Sequence, residues 1–94
     1  MYWMQEWDLV AFEKASVAER KYSAILKEKF TGRLVSVSFG RPGYWHYKDA
    51  TGLGLYSKFD HLNEDRRQRF RERFSGYIMP QMYTRQFFSF NYLW

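Results

Sequence analysis

The segment Arg33-Leu-Val-Ser-Val-Ser-Phe39 alternates apolar and polar side chains over its whole length. In an extended chain Val35, Val37 and Phe39 face one side, and the two serines face the other. This period of two predicts a half-buried β-strand. The fold is therefore expected to contain a sheet.

Two further short strands are predicted immediately after this one. Residues 40–43 have the composition of a turn, with two glycines and a proline. Tyr44–Tyr47 and Leu53–Tyr56 are strand candidates, and residues 48–52 could join them as a hairpin loop. The sequence thus predicts a small antiparallel sheet of three to four short strands.

The first 32 residues are predicted to form a helical segment. Ser16 and Glu19 have the spacing of a capping box, in which each side chain serves an exposed amide group of the other. An amphipathic stripe follows at Ala18, Tyr22, Ile25 and Phe30, and Gly32 would end the helix. Residues 8–15 could continue this helix, form a separate turn, or form a first strand.

A second helix is predicted from Asn63 to about Phe74. Asn63 is a favourable N-cap, and the two acids after it suit the positive end of the helix dipole. The helix should end at residues 75–76, and residues 76–82 should be an irregular crossing. Residues 87–94 alternate again, which predicts a C-terminal strand with one aromatic face: Phe88, Phe90, Tyr92 and Trp94.

These elements define a single α+β domain over residues 1–94, with a helical segment at 1–32 and the sheet, the Arg-rich helix and the final strand at 33–94. The chain has no cysteine, so disulfides and thiolate sites are excluded. Aromatic residues make up 22% of the chain, more than so small a core can hide, so some should lie at the surface. Neither a signal peptide nor a membrane span is expected.

The positive charge of the protein is concentrated in its last third. Residues 66–94 contain six arginines and one acid, whereas residues 1–65 contain nine basic and nine acidic side chains. On a helix, Phe70, Phe74 and Tyr77 share one narrow sector. Arginines border that sector on both sides: Arg66, Arg69 and Arg73 on one, Arg67 and Arg71 on the other.

This arginine-rich helix has three possible interpretations. The arginine stems could simply cover the edges of the core, with their charged heads in water. The heads could instead form a ridge that contacts nucleic-acid phosphates, because guanidinium groups donate two hydrogen bonds to phosphate oxygens. A protein interface is the third possibility, since arginine and aromatic residues are common anchors there.

Aromatic residues at 44–47 lie next to two cations, Arg41 and Lys48. Exposed rings beside positive charge are typical of proteins that bind single-stranded nucleic acid, and Trp45 is the candidate stacking residue. The alternative is that these rings pack on the two faces of a small sheet. Together with the five arginines of the second helix, Arg41, Lys48 and Trp45 complete the candidate nucleic-acid-binding set.

No catalytic, metal-binding or cofactor-binding residues are predicted. His46 and His61 each have an aspartate nearby, but two histidines without cysteine give no recognisable ligand spacing. Gly52 and Gly54 lack the third glycine of a dinucleotide-binding loop. We therefore expect a protein that is not an enzyme and acts on no small-molecule substrate.

The order of several short signals resembles a family of small uncharacterised proteins encoded by large DNA viruses and bacteriophages. The signals are Ser38-Phe39-Gly40, Tyr44–Tyr47, Asp60-His61, Arg66-Arg67 with Phe70 and Arg73, and Leu93-Trp94. The resemblance covers residues 34–94. The chain departs from the family where Phe74 replaces a histidine and where residues 50–56 look like an insertion. The resemblance implies a viral or phage gene, with the protein in the virion or the host cytoplasm.

Two functions are predicted. The first is a non-enzymatic protein that contacts nucleic-acid backbone through its arginine-rich helix. The alternative is a minor virion protein or adaptor that binds virion or host proteins through Phe88, Phe90, Tyr92 and Trp94, since an aromatic edge strand can extend another chain's sheet. Homo-oligomers are possible, and no membrane partner is expected.

Overall fold

A computed structural model describes residues 2–77 and 81–94 of the chain. Its main elements are β1 (Trp7–Lys14), β2 (Tyr22–Glu28), β3 (Leu34–Phe39), α1 (Glu64–Phe74) and α2 (Arg85–Tyr92). Short 3-10 turns at Ser57–Phe59 and Ser75–Tyr77 flank α1. The strands come first and the helices follow, so the α+β class predicted from the sequence is confirmed.

The three strands form one antiparallel sheet in the order β1-β2-β3. In the central strand, Ala24 pairs with Phe12 of β1 on one side and with Val37 of β3 on the other. A bulge between Leu9 and Ala11 shifts the register in β1. The core side chains of β2 are fully buried at every second position: Tyr22, Ala24 and Leu26.

Strand β3 agrees with the alternation seen in the sequence. Phe39 is fully buried, and Val35 and Val37 are half-buried against the same core. Ser36, on the opposite face, is exposed. The half-buried strand predicted over residues 33–39 is therefore confirmed, with bounds Leu34–Phe39.

The predicted helix over residues 1–32 is wrong, because strands β1 and β2 form within this segment. The Ser16–Glu19 pattern lies in the turn that joins them, where the Ala15 N–H donates to the Lys21 carbonyl at 3.1 Å. The residues of β2 satisfy both a helical and a strand period, since nearly all of them are apolar or small. The segment is a strand because it can pair with β1 on one side and with β3 on the other. The strand alternative for residues 8–15 is the one that the structure adopts.

The predicted C-terminal strand is also wrong, because residues 85–92 form helix α2. Its N-cap is Thr84, whose hydroxyl accepts a hydrogen bond from the Phe87 N–H at 3.0 Å. Phe88 and Tyr92, four residues apart, lie against the sheet, and Phe88 is fully buried. A run this rich in aromatics fits either period, and burial of the Phe88 face on the sheet favours the helix.

Helix α1 begins and ends where the sequence predicted. The Asn63 side chain accepts from the Arg66 N–H at 3.1 Å, and Ser75 is the C-cap. None of the residues of α1 is fully buried. The helix is attached mainly through Phe70, whose ring is stacked on that of Trp94 with centroids 4.2 Å apart. Part of the crossing predicted for residues 76–82 lies outside the described residues, which omit 78–80.

The segment between β3 and α1 contains neither of the two predicted short strands. It makes one isolated bridge, between His46 and Asp60. Its N–H groups instead cap the C-terminal end of α2: those of Tyr47 and Lys48 donate to the Leu93 carbonyl at 2.9 and 3.1 Å. The last carbonyls of a helix need such external donors. This segment therefore links the end of α2 to the region before α1.

The two helices are short. Helix α1 has 11 residues and α2 has 8, and no helix in the described part of the chain is long and apolar enough to cross a membrane. A crossing needs about 20 apolar residues.

Candidate nucleic-acid interface

Two of the five arginines of α1 attach the helix to the rest of the protein. Arg67 Nε donates to the main-chain oxygen of Trp94 at 2.8 Å, and Arg71 Nη1 donates to the Phe90 carbonyl at 3.1 Å. The guanidinium of Arg71 also lies 4.0 Å from the centre of the Phe90 ring. Burial, and then the charge of Arg67, lower the pKa of Arg71. Both side chains are half-buried and serve the packing of α1.

Arg67 makes two additional contacts. Its Nη1 lies 3.6 Å from Glu64 Oε2, and its guanidinium lies 4.9 Å from the centre of the Tyr47 ring. The Tyr47 hydroxyl in turn donates to Glu64. Arg67 is thus engaged on three sides and has little capacity left for an external ligand.

The other three arginines of α1 are Arg66, Arg69 and Arg73, and all three are exposed. Arg69 Nε donates to a carbonyl of its own helix, that of Asp65, at 3.3 Å. Among residues 2–77 and 81–94, no carboxylate lies within 4.0 Å of these three guanidinium groups. They surround a shallow depression of about 380 Å³, together with Phe70, Phe74 and Trp94. We call Arg66, Arg69 and Arg73 the outer arginines.

A second group of arginines is assembled from three separate elements. Arg20 precedes β2, Arg41 follows β3, and Arg85 is the first residue of α2. Arg85 Nε donates to the Ser38 carbonyl at 2.9 Å, which fixes its position. Burial, and then the charges of Arg85 and Arg41, lower the pKa of Arg20, and the charge of Glu19 opposes this shift. We call these three residues the inner arginines.

A cleft of about 320 Å³ lies between residues 40–46, α1 and α2. The inner arginines line it, as do aromatic side chains from all three segments: Tyr44, Trp45, Phe70, Phe74, Phe90 and Trp94. No aspartate or glutamate is among the described residues that line it. The cleft shares Phe70, Phe74 and Trp94 with the depression beside the outer arginines, so the two adjoin at these side chains.

The aromatic rings that line this cleft differ in how much of their surface is already in contact with other side chains. Trp94 contacts Phe70 at 4.2 Å and His61 at 5.1 Å between ring centroids, and Arg71 covers Phe90. Trp45, by contrast, is 52% exposed, and its contact with Phe59 is edge-to-face. Tyr44, which is 64% exposed, and Trp45 are therefore the rings best placed to contact a ligand.

Beneath the cleft a buried chain of hydrogen bonds holds the segment that carries Trp45. Lys21, only 1% exposed, has its Nζ 2.7 Å from both the Tyr44 carbonyl and His46 Nδ1. His46 Nε2 lies 2.6 Å from Asp60 Oδ1. Because an ammonium group can only donate, His46 Nδ1 accepts and Nε2 carries the proton. Lys21, His46 and Asp60 thus form a continuous relay, which we call the lysine relay.

The electrostatics of the lysine relay follow from its burial. Burial lowers the pKa of Lys21 from its ordinary 10.5 to about 8, although Asp49 and Asp60 oppose this shift. Burial, and then the charge of Lys21, lower the pKa of His46. The Lys21 ammonium also lies 5.2 Å from the centre of the Phe59 ring. With the Tyr44 carbonyl and the His46 ring as its hydrogen-bond acceptors, the Lys21 ammonium positions the Tyr44–His46 segment.

Gly40 allows the chain to pass closely over this relay. Its φ of 77° lies in the left-handed region, and a Cβ there would be 3.0 Å from Leu93 Cδ1 and 3.2 Å from Lys21 Cβ. Any other residue would be strained and would push apart the base of the cleft.

The structure brings together only some of the site residues predicted from the sequence. Arg41 and Trp45 line the cleft, whereas Lys48 is exposed and is not among its lining residues. No local sequence pattern marks Arg20 or Arg85 as site residues, because only the fold brings the inner arginines together. Within the described residues, no three His, Cys, Asp or Glu side chains are grouped so that they could hold a metal ion.

The protein-interface residues predicted from the sequence do not share one exposed face. Phe88 lies in the core, and Tyr92 contacts Phe12 at a centroid distance of 4.7 Å. Phe90 lies beneath Arg71, and Trp94 is stacked on Phe70. The predicted face depended on an extended conformation, which helix α2 replaces.

Comparisons with protein-family models, with curated proteins and with solved structures give no match. The function is therefore argued from the geometry of the interface.

Proposed function

We propose that the protein is a non-enzymatic nucleic-acid-binding protein that contacts phosphate groups through the outer arginines, Arg66, Arg69 and Arg73. One observation carries this proposal. The three guanidinium groups are exposed on one side of α1, and no carboxylate in the described part of the chain lies within 4.0 Å of them. Guanidinium groups in this state offer paired donors to phosphate oxygens.

The arginines of α1 fall into two groups with different contacts, and this difference supports a binding function over a purely structural one. Arg67 and Arg71 bind main-chain oxygens of other segments and so anchor the helix. Within the described residues the outer arginines make no such link: Arg69 bonds to a carbonyl of α1 itself, and Arg73 lies against the ring of its neighbour Phe74. Anchoring by two arginines presents the other three on a fixed surface.

A virus or phage origin is part of this proposal, and it rests on the resemblance of residues 34–94 alone. The second candidate is a minor virion protein or adaptor that binds other proteins. The exposed rings of Tyr44 and Trp45 support it. The form of it that used a C-terminal edge strand is withdrawn, because the main chain of residues 85–92 is hydrogen-bonded within α2.

The test is binding to short single-stranded and duplex oligonucleotides, measured by fluorescence anisotropy from about 50 to about 200 mM salt. The wild-type protein should show a steep negative dependence of log affinity on log salt. The triple variant Arg66→Gln, Arg69→Gln, Arg73→Gln should bind at least about tenfold more weakly, with the slope reduced by about 2, because each phosphate contact contributes about 0.7–0.9.

A matched control separates these contacts from net charge. The triple variant Lys27→Gln, Lys29→Gln, Lys58→Gln also lowers the formal charge from +5 by three, to +2. These lysines are exposed and lie outside α1. Equal losses in the two variants would show that only overall charge matters, and an affinity independent of salt would rule out phosphate neutralisation.

A further inference from the structure

The cleft beside α1 is lined both by positively charged groups and by aromatic rings. A single nucleotide carries the two matching groups, a phosphate and a planar base. Its volume of about 320 Å³ is at the lower end of the roughly 300–1,000 Å³ usual for small-molecule sites. The inner arginines, Arg20, Arg41 and Arg85, supply positive charge, and aromatic rings supply flat apolar surface. A ligand that matches both must carry an anion and a planar ring.

The cationic lining favours a phosphate in particular. Arg20, Arg41 and Arg85 line the same cleft, and no carboxylate is among its described lining residues, although Glu19 outside the cleft acts on Arg20. Arg85 uses its Nε on the Ser38 carbonyl, so its terminal nitrogens remain as donors beyond that bond. A bound phosphate would relieve the repulsion among the three groups and accept several of their hydrogen bonds at once.

The aromatic lining favours a ring placed against Trp45. Tyr44 and Trp45 are both more than half exposed, whereas Phe70 and Trp94 are stacked on each other. Of the two open rings, the indole of Trp45 offers the larger flat surface. The wall that carries Trp45 is also fixed in advance. Lys21 binds the Tyr44 carbonyl and the His46 ring on either side of it. A rigid wall loses little entropy when a ligand binds, which raises affinity.

We propose that this cleft binds one unstacked nucleotide of a single-stranded nucleic acid, with its base against Trp45 and its phosphate on Arg20, Arg41 and Arg85. The inference deepens the proposed function and rests on it. Neighbouring phosphates of the same strand would lie along the outer arginines, because the cleft and their depression share Phe70, Phe74 and Trp94. In a duplex the bases are stacked and cannot enter the cleft, so single strands are preferred.

A phosphotyrosine peptide is the main competing ligand, since it too carries a ring and a phosphate. The cleft favours a nucleotide because a second row of arginines continues from it. A nucleic-acid strand carries a phosphate at every residue and can engage both rows. A peptide with one phosphate would leave the outer arginines without an anion.

The first experiment compares single-stranded and duplex oligonucleotides of the same length by fluorescence anisotropy. The wild-type protein should prefer the single strand by about tenfold, within the contribution of one base–aromatic stack. Trp45→Leu should remove most of that preference and leave duplex affinity unchanged, while Trp45→Phe should retain it. Phe30→Ala is the matched control, because Phe30 is an exposed ring that follows the C-terminal end of β2. The cleft lies at the other end of this strand, beside Arg20 and Lys21.

The second experiment probes the cleft directly with adenosine monophosphate, adenosine, inorganic phosphate and phosphotyrosine, by titration calorimetry. Adenosine monophosphate should bind at least about tenfold more tightly than either of its parts, since each lining contributes separately. Arg41→Gln should weaken it, and Lys27→Gln, an exposed cation at the far end of the sheet, should not. Thermal melting of each variant establishes that it is folded.

The outcomes distinguish this inference from the proposed function. If Trp45→Leu changes neither strand preference nor nucleotide affinity, the inference is overturned while the outer arginines can still bind phosphate. Tighter binding of phosphotyrosine than of adenosine monophosphate also overturns it. If the nucleotide binds through Trp45 but the triple variant of the outer arginines binds oligonucleotides normally, the proposed function is the part that fails.

Discussion

Strand β2 and helix α1 lie at opposite extremes of burial in this protein. Tyr22, Ala24 and Leu26 of β2 have no exposed surface, whereas α1 has no fully buried residue. The strand is fixed by apolar packing and by pairing on both sides. Among the described contacts that hold the helix are one stacked pair of rings, two arginine side chains and the Tyr47–Glu64 hydrogen bond. Stability therefore resides mainly in the sheet and α2, and the surface offered to a ligand resides mainly in α1 and the cleft.

This difference predicts that substitutions in the two regions will affect different measurements. Changes in the core should lower the free energy of unfolding and affect binding only through loss of folded protein. Changes at the outer or inner arginines should lower affinity for nucleic acid while leaving the protein folded. Three predictions test this separation.

The largest effect is expected at Phe88 of α2. Its ring stacks between those of Phe39 and Tyr83, with centroids 5.5 and 5.6 Å away. Phe88→Ala should lower the free energy of unfolding by about 3–5 kcal/mol, because it removes a large buried ring and leaves a cavity. Urea denaturation followed by circular dichroism measures this loss.

Phe30→Ala provides the control for Phe88→Ala. Phe30 is 88% exposed, so its removal should change the free energy of unfolding by less than about 0.5 kcal/mol. Similar losses in the two variants would contradict the packing of α2 on the sheet.

The second prediction concerns the pH dependence that the lysine relay gives to stability. Burial lowers the pKa of Lys21 to about 8, so between about pH 8 and pH 10 the unfolded chain binds a proton that the folded protein has released. Stability should therefore rise with pH in this window, by at most about 1.4 kcal/mol per pH unit. Urea midpoints at several pH values measure it.

Above pH 10 the direction should reverse. Burial, and then the hydrogen bond to Asp49, raise the pKa of Tyr22 from 10.0 to about 12. The folded protein then retains a proton that the unfolded chain loses, so stability falls as pH rises towards 12. Lys21→Met should abolish the rise between pH 8 and pH 10, whereas the same substitution at the exposed Lys27 should not. A rise that persists in Lys21→Met would assign it to another group.

The sequence predicted an element correctly where its apolar residues recur with only one period, either that of a strand or that of a helix. In β3, serines alternate with valines, so only a strand fits. In β2, Ser23 and Ile25 separate the core residues, and Ser23 is itself only 4% exposed. In a central strand the side chains of both flanking strands lie beside each residue on either face, so even a residue of the outer face such as Ser23 is shielded from water. The C-terminal run had the same ambiguity, and only its packing on the sheet resolved it.

The candidate site was predictable in part for a related reason. The outer arginines share one helix, so their common face follows from the helical period. The inner arginines lie before β2, after β3 and at the start of α2, so no local pattern links them. The lysine relay is equally non-local, since Lys21, His46 and Asp60 come together only when the sheet and the segment before α1 are in contact.

The smallest and most discriminating effects are expected for two arginines of the same helix. Arg71→Met removes the hydrogen bond to the Phe90 carbonyl and the cation above its ring, so the free energy of unfolding should fall by about 1–2 kcal/mol. Arg73→Met should change it by less than about 0.5 kcal/mol, because Arg73 is exposed. Urea denaturation of both variants gives these values.

Affinity for nucleic acid should show the opposite order. Arg73→Met should weaken oligonucleotide binding and reduce the salt slope by about 0.7–0.9, the contribution of one phosphate contact. Arg71→Met should leave the slope unchanged, because its guanidinium is already bound to the Phe90 carbonyl. If both variants lost stability and salt slope to the same extent, anchoring and recognition would not be separate on α1. The separation between side chains that anchor the fold and side chains that bind a ligand would then not hold for α1, the helix that carries both kinds.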